Sequence, residues 1–210
     1  MANQKIFLYV LFIFSTLISS LLQSILPGGC IVNDLSSVEV TDFDAEKDFE
    51  QAKELLQENW QELVGDQPCT DQLCIMYADY FFKDKKSANY RPYPLLLKTI
   101  KNTGGLIGFI GYVLYDSANN DRDSVGPCMM NPPLDRGHIE ILAIDSAYRK
   151  KGLAKKLLEY AIQDLTQKGA KKINVGVQYD NQSAIKLYRK LGFVQDRTFD
   201  DQSIILVKIV

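Results

Sequence analysis

The chain has 210 residues, of which 46% are hydrophobic and 24% are charged. This composition predicts one globular domain with a sizeable core and excludes a disordered or fibrous protein. Its 24 basic and 26 acidic side chains give a net charge of −2, a balance that does not favour a nucleic-acid partner.

An apolar segment, Ile6–Leu26, follows Lys5 near the start of the chain and ends at Pro27-Gly28-Gly29. Its length suits a bilayer crossing, so we expect residues 1–30 to be a signal peptide or a membrane anchor and residues 31–210 to form the functional domain. Two alternatives stay open, namely a lipoprotein modified at Cys30 and a buried helix of the domain. The protein is therefore expected to be membrane-anchored or exported, and the positive charge of Lys5 favours a domain that lies across the membrane from the cytoplasm.

Hydrophobic periodicity predicts the elements of the first half of the domain. They are a short strand, two amphipathic helices and two strands that form a hairpin around residues 101–105. In order, they cover Val38–Thr41, Ala45–Val64, Thr70–Phe82, Leu95–Ile100 and Leu106–Tyr115. The next segment, Asp116–Arg136, contains three prolines and no periodicity, which predicts a long surface loop.

The second half predicts a strand, a helix, a strand, a second helix and two closing strands. These cover His138–Asp145, Gly152–Lys168, Ile173–Val177, Asn181–Lys190, Phe193–Thr198 and Ser203–Val210. The strand–helix–strand unit makes its two strands parallel, whereas the hairpins are antiparallel. We therefore predict an α/β (α+β) fold in which a mixed, mostly antiparallel sheet of six or seven strands is flanked by about four helices and contains a central βαβ unit.

A basic turn precedes the helix Gly152–Lys168. A helix N-terminus already carries about half a positive charge, so further cations are unfavourable there unless an anion compensates them. Gly152 and Ala154 lack bulky side chains where a ligand would approach the backbone, and the turn directly follows a strand. This arrangement predicts a phosphate-binding site. The alternative is a solvated basic face, at least for the last two of the five cations Arg149, Lys150, Lys151, Lys155 and Lys156.

Two motifs of this region resemble those of the GNAT N-acetyltransferase superfamily. Arg149-Lys150-Lys151-Gly152-Leu153-Ala154 matches the signature R/Q-x-x-G-x-G/A and follows a strand, as it does in that family. Residues Asn181–Phe193 match N-x-x-A-x-x-x-Y-x-x-x-G-F at the usual spacing. The resemblance covers His138–Phe193, and it implies a GNAT-like fold over about Val38–Val210.

The resemblance implies acetyl-CoA as co-substrate and no metal. The backbone of the turn is expected to bind the pyrophosphate, and the strand edge is expected to pair with the pantetheine. The expected cofactor-binding residues are Leu142, Ile144, Arg149, Lys150, Lys151, Gly152, Leu153, Ala154 and Asn181.

Acetyl transfer to an amine needs a base for the acceptor and an acid for the departing thiolate. By resemblance, Tyr188 is that acid, the alternative being a core aromatic. His138 and Glu140 lie two apart on a predicted strand, so we expect them on the same face as Leu142 and Ile144, and they are the candidate bases. Histidine is a competent base at neutral pH, whereas Glu140 would act through water or hold a cationic amine. In the structural alternative, His138 caps a loop end and Glu140 pairs with Arg136.

The implied activity is N-acetylation of a primary amine, either a small molecule, a lysine or a peptide N-terminus, by direct attack in a ternary complex. The alternatives are a non-catalytic acyl-CoA-binding regulatory protein and a membrane-tethered interaction protein. Acetyl-CoA is a cytoplasmic metabolite, which conflicts with an exported domain. The side of the membrane on which the domain lies therefore stays open.

Three cysteines of the domain, Cys69, Cys74 and Cys128, lack the spacing of a zinc site, and His138 is the only histidine of the chain. In an exported domain, Cys69 or Cys74 would be able to pair with Cys128. In the cytoplasm, we expect all three to be small core or surface residues.

Overall fold

A computed structural model describes residues 38–64, 68–82, 95–115, 135–198 and 202–210. The strands in these ranges are β1 (Val40–Asp42), β2 (Leu96–Asn102), β3 (Gly105–Tyr115), β4 (Arg136–Ile144), β5 (Lys172–Gln178), β6 (Val194–Thr198) and β7 (Ser203–Ile209). The helices are α1 (Ala45–Glu58), α2 (Trp60–Val64), α3 (Asp71–Phe82), α4 (Leu153–Gln167) and α5 (Gln182–Lys190), and a 3-10 helix covers Ser146–Tyr148. The predicted leader, the boundary at residues 30 and 31, most of the predicted long loop, and Cys128 lie outside the described residues.

The seven strands form one sheet in the order β1-β2-β3-β4-β5-β7-β6. Within it, β4 and β5 pair in parallel, and every other pair of neighbours is antiparallel. The parallel pair is joined by α4, so β4, α4 and β5 are the predicted βαβ unit. The predicted mixed, mostly antiparallel sheet is confirmed.

The predicted helix Ala45–Val64 is two helices, because Asn59 interrupts it. Asp44 caps the start of α1 by accepting a hydrogen bond from the backbone N–H of Glu46 at 3.2 Å. At the other end, the buried side chain of Asn59 donates to the carbonyl oxygen of Leu55 at 2.8 Å, and the chain turns into α2. A side chain that bonds to the backbone competes with helical hydrogen bonds, which explains the break.

The core lies on both faces of the sheet. On one face, Phe109 of β3 and Ile141 and Ala143 of β4 pack in one cluster with α1, α2 and α3. On the other face, the hydroxyl of Tyr112 donates to Asp164 Oδ2 of α4 at 2.9 Å. We call these the α1/α3 face and the α4 face.

A β-bulge at Glu140 changes the faces of β4. Gly111 of β3 is opposite Ile141 and Tyr112 is opposite Ile139, so Glu140 is an additional residue without a partner on β3. Because Tyr112 lies on the α4 face, Ile139 lies there too, and His138 lies on the α1/α3 face. Beyond the bulge, Ile141 lies on the α1/α3 face. Leu142 and Ile144 therefore lie on the α4 face, and the prediction that they share a face with His138 is wrong.

Candidate functional site

The parallel strands β4 and β5 pair along only part of their length. The paired residues run from Arg136 with Lys172 to Ile139 with Val175. After that point β4 continues to Ile144 and β5 continues to Gln178, paired with β3 and β7 respectively but not with each other. This unpaired stretch, the β4–β5 gap, exposes backbone hydrogen-bonding groups of Leu142 and its neighbours to any ligand that lies between the strands.

The turn from β4 into α4 has an unusual backbone. Lys150 and Gly152 both have positive φ angles, 62° and 86°. For lysine this conformation costs about 1 kcal/mol or more, and such strain is typical of functional sites. Gly152 is the N-cap of α4 and makes no side-chain cap hydrogen bond. The first N–H groups of α4 have no carbonyl partner within the helix, so they can bind an anion.

Four of the five cations around this turn contact groups of the protein. Arg149 donates to Asn59 Oδ1 at 2.7 Å and to Glu62 Oε1 at 2.6 Å. Three lysines also have partners: Lys151 lies over the ring of Tyr148 at 4.9 Å, Lys155 pairs with Glu159 at 3.4 Å, and Lys156 donates to the carbonyl oxygen of Val38. The crowding of charge therefore argues less for an anion than the sequence indicated. The backbone geometry of the turn is the stronger argument.

The other predicted cofactor contacts surround this turn. Leu153 is buried at the first position of α4, and Ala154 follows it. Ile144, the last residue of β4, is buried, and its carbonyl oxygen accepts from Nε of Arg149 at 3.3 Å. Asn181 is the N-cap of α5, and its side-chain oxygen accepts from the N–H of Ala184 at 3.1 Å. The side-chain oxygen of Asn181 therefore stabilises the start of α5.

Tyr188 lies on α5 and is 6% exposed. Its ring packs edge-on against Phe193 with 5.7 Å between the ring centroids. Burial raises the pKa of the Tyr188 phenol well above its ordinary value, because the charged form would lose its solvation. The hydroxyl is protonated at neutral pH, as any tyrosine is, and burial makes it a weaker acid than an exposed phenol.

The candidate bases lie on β4 beside the start of the β4–β5 gap. His138 is 9% exposed and is the partner of Asn174 in the parallel ladder. Glu140 is half-buried in the bulge, and the hydroxyl of Tyr115 donates to its Oε1 at 3.5 Å. The structure thus brings His138 and Glu140 together on one strand next to the gap.

Sequence reasoning missed Asn174. It was not among the predicted site residues, and it is 3% exposed. The signal in the sequence was a polar residue on the strand that runs parallel to the one carrying the only histidine. Within the described ranges, no group of three or more His, Cys, Asp or Glu side chains is placed to hold a metal ion. Cys69 is exposed and Cys74 is buried, and both are free thiols.

Comparison with known proteins identifies the kind of chain to which this site belongs. The model of the acetyltransferase (GNAT) family matches residues 49–193. N-alpha-acetyltransferase 30 of Xenopus laevis is 40% identical over 62 residues, which are 30% of this chain and 23% of that protein. N-alpha-acetyltransferase 30 of Saccharomyces cerevisiae is 37% identical over 71 residues, which are 32% of this chain and 40% of that protein. The chain thus spans less than half the length of these two relatives.

The fold is also that of a solved structure. PaiA N-acetyltransferase from Thermoplasma acidophilum, in complex with coenzyme A, superposes with a TM-score of 0.59 and 19% sequence identity. The match covers 83% of this chain and 99% of that one. At this identity the likeness shows the fold alone.

The comparisons correct the localisation that the leader predicted. The two relatives above are named as N-alpha-acetyltransferases, and neither name refers to a membrane or to secretion. In the parts of the chain that the structure describes, no helix combines the length and the hydropathy needed to cross a bilayer. The similarity to these relatives, and not the absence of such a helix, contradicts the prediction of a membrane-anchored or exported protein. The segment Ile6–Leu26 itself lies outside the described residues.

Proposed function

The chain belongs to the acetyltransferase (GNAT) family, and on this basis we propose that it transfers the acetyl group of acetyl-CoA to a primary amine. The observation that carries the proposal is the β4–β5 gap, which ends beside the uncapped start of α4. A ligand with a diphosphate at one end and an extended amide-containing arm fits this combination. The proposed acetyltransferase domain comprises residues 31–210.

The turn and the gap bind the two halves of this ligand. Backbone N–H groups from Lys150 to Ala154 would hold the pyrophosphate, with the ammonium group of Lys150 beside them. The free edge of β4 near Leu142 and Ile144 would pair with the amides of the pantetheine arm. Asn181, at the start of α5, would contact the arm from the side of β5. Acetyl-CoA supplies the acetyl group as a thioester, which is already activated for attack by an amine.

Two side chains of this chain would move protons. His138 would accept a proton from the acceptor amine as that amine attacks, because histidine titrates near neutral pH. Tyr188, which is protonated at neutral pH, would donate its hydroxyl proton to the departing sulfur. Glu140 would hold the amine or an ordered water beside His138. Acetyl transfer is then direct, within a complex of both substrates.

The acceptor we propose is the α-amino group of a peptide or protein. The support is the similarity to proteins named as N-alpha-acetyltransferases. An N-terminal amine is neutral in a larger fraction at neutral pH than a lysine side chain, because its ordinary pKa is lower, and it loses a further proton to His138 as it attacks. Lysine side chains and small amines form the comparison set.

The first experiment measures coenzyme A binding by calorimetry with the full chain. The second measures thiol release from acetyl-CoA with peptides of varied N-terminal residues, the same peptides with a blocked N-terminus, free lysine and a polyamine. We expect micromolar binding and release only with free N-termini. Absence of binding would contradict the cofactor site. Binding without release for any amine would instead support a non-catalytic acyl-CoA-binding protein.

A further inference from the structure

Asn174 of β5 is a buried polar residue without a role in the reaction as described above. It is 3% exposed, and its Oδ1 accepts no hydrogen bond from the described residues. A buried amide oxygen without a donor is unfavourable, so its presence calls for an explanation.

The neighbour of Asn174 on β4 is His138. The two are direct partners in the parallel ladder, so their side chains lie on the same face, and their backbones are about 4.8 Å apart. The row continues with an apolar residue on each side: Val113 of β3 pairs with His138, and Val207 of β7 pairs with Asn174. His138 and Asn174 are therefore a polar pair between two valines.

This polar pair lies where the β4–β5 gap begins. The strands remain paired for one more residue each, Ile139 with Val175, before they stop pairing. A group held by Asn174 is thus next to the proposed path of the acyl donor and on the face opposite α4.

We propose that Asn174 is a positioning residue for His138: its Oδ1 accepts a hydrogen bond from one imidazole N–H and leaves the lone pair of the other ring nitrogen to the acceptor amine. In the described arrangement Asn174 Oδ1 does not yet accept from His138, so the bond requires the amide to turn about its terminal torsion, which is broad in asparagine. This inference rests on the proposed function, in which His138 is the base.

A neutral partner suits a histidine that must release its proton again. A carboxylate would stabilise the imidazolium and keep it charged, whereas an amide fixes the tautomer with much less effect on proton affinity. The other ionisable side chains of the sheet on this face are Tyr115, Arg136 and Lys172, which pair in one row, and Glu140 lies in the adjacent bulge. The helices packed on this face add the ionisable side chains that are not exposed, namely Asp48 and Lys53 of α1 and Cys74, Tyr77 and Asp79 of α3. All of them are unchanged in the variants used below.

The test uses the fact that His138 is the only histidine of the chain. Nitrogen-15-labelled histidine in the full chain reports the tautomer and the titration of this ring alone. We expect one dominant tautomer in the wild type, loss of that preference in Asn174→Val, and a titration midpoint about one pH unit higher in Asn174→Asp. The control is Ile173→Val, which alters the same strand on the α4 face and should leave the spectrum unchanged.

Turnover gives an independent readout. Asn174→Val should lower kcat about 10-fold without changing the KM for acetyl-CoA, and should cause no further loss in a His138→Gln background. An unchanged tautomer ratio in Asn174→Val, or an unchanged midpoint in the nearly isosteric Asn174→Asp, would overturn the proposal. Because the spectrum needs no turnover, failure of the proposed function would appear differently, as absent thiol release with the expected His138 signals.

Discussion

Arg149 donates a hydrogen bond from Nη2 to the side-chain oxygen of Asn59 over 2.7 Å, although the two residues are 90 positions apart. The same guanidinium donates to Glu62 and to the carbonyl oxygen of Ile144. The turn that would bind the pyrophosphate is therefore attached to the point where α1 ends and α2 begins. We infer that the guanidinium of Arg149 supports the turn, while the backbone of the turn meets the ligand.

Replacing Asn59 with alanine should destabilise the protein and weaken coenzyme A binding together. The variant leaves Nη2 of Arg149 without its acceptor and removes one of the two hydrogen bonds to the carbonyl oxygen of Leu55, so the free energy of unfolding should fall by about 1–3 kcal/mol. Urea denaturation measures the stability, and calorimetry measures the affinity.

Glu62→Gln is the matched control for this prediction. It removes only a half-exposed ion pair with Arg149, so it should cost less than about 1 kcal/mol. If both variants had the same effect, the ion pair rather than Asn59 would hold the turn.

Alanine variants of two glycines at opposite ends of α4 should distinguish the effect of backbone strain from the effect of lost ligand contact. Gly152 and Gly169 have φ angles of 86° and 97°, and an added Cβ would meet nothing within 4 Å at either position. Alanine at each should therefore destabilise the protein by a similar amount, about 1 kcal/mol, from backbone strain alone. Only Gly152→Ala places a methyl group where the phosphates approach, so it should weaken coenzyme A binding at least 10-fold. Calorimetry with equal affinities for the two variants would remove the turn as the phosphate site.

Two buried tyrosines should respond in opposite ways to replacement by phenylalanine. Tyr188→Phe removes the proposed acid, so kcat should fall about 10²-fold with little change in stability. Tyr112→Phe removes a hydrogen bond to Asp164, so it should cost about 1 kcal/mol of stability and leave kcat unchanged. Steady-state kinetics measures kcat of both variants, and thermal unfolding measures their stability. A normal kcat in Tyr188→Phe would show that Tyr188 is a core aromatic and not the acid.

Burial of the Tyr188 hydroxyl should also make the protein less stable at alkaline pH. The pKa of Tyr188 is raised in the folded state, so the native protein binds this proton more tightly than the unfolded chain. The stability it contributes is complete below about pH 10, the ordinary pKa of tyrosine, and falls as the pH rises further. The free energy of unfolding, measured with urea between about pH 8 and about pH 11, should decline less in Tyr188→Phe than in the wild type. Identical slopes would contradict the raised pKa.

The two candidate bases differ in the pH dependence they should impose. His138→Gln should lower kcat/KM at neutral pH by about 10²-fold and abolish the rise of kcat/KM between acid and neutral pH. Glu140→Gln should keep that rise and lower the rate less, because its role is to hold the amine or a water. Retention of the wild-type profile in His138→Gln would assign the base to another residue.

Local signals in the sequence predicted the βαβ unit and the turn, because the positive φ at Gly152 and the periodicity of α4 are set by nearby residues. The break at Asn59 was not predicted, since it comes from a side-chain hydrogen bond to the carbonyl oxygen of Leu55, which the spacing of apolar residues does not reveal. The faces of β4 were mispredicted for a similar reason. The bulge at Glu140 arises from the register with β3, and strict alternation along one strand contains no trace of it.

The short parallel ladder has a consequence for the sheet as a whole. Only four residue pairs join β4 to β5, so few backbone hydrogen bonds attach β5, β6 and β7 to the rest of the sheet. A bound pantetheine arm would lie in the β4–β5 gap and extend the hydrogen-bonded contact between the two strands. Hydrogen–deuterium exchange at the amides of Glu140–Ile144 should then slow when coenzyme A is added. The bound ligand would thus stabilise the sheet that binds it.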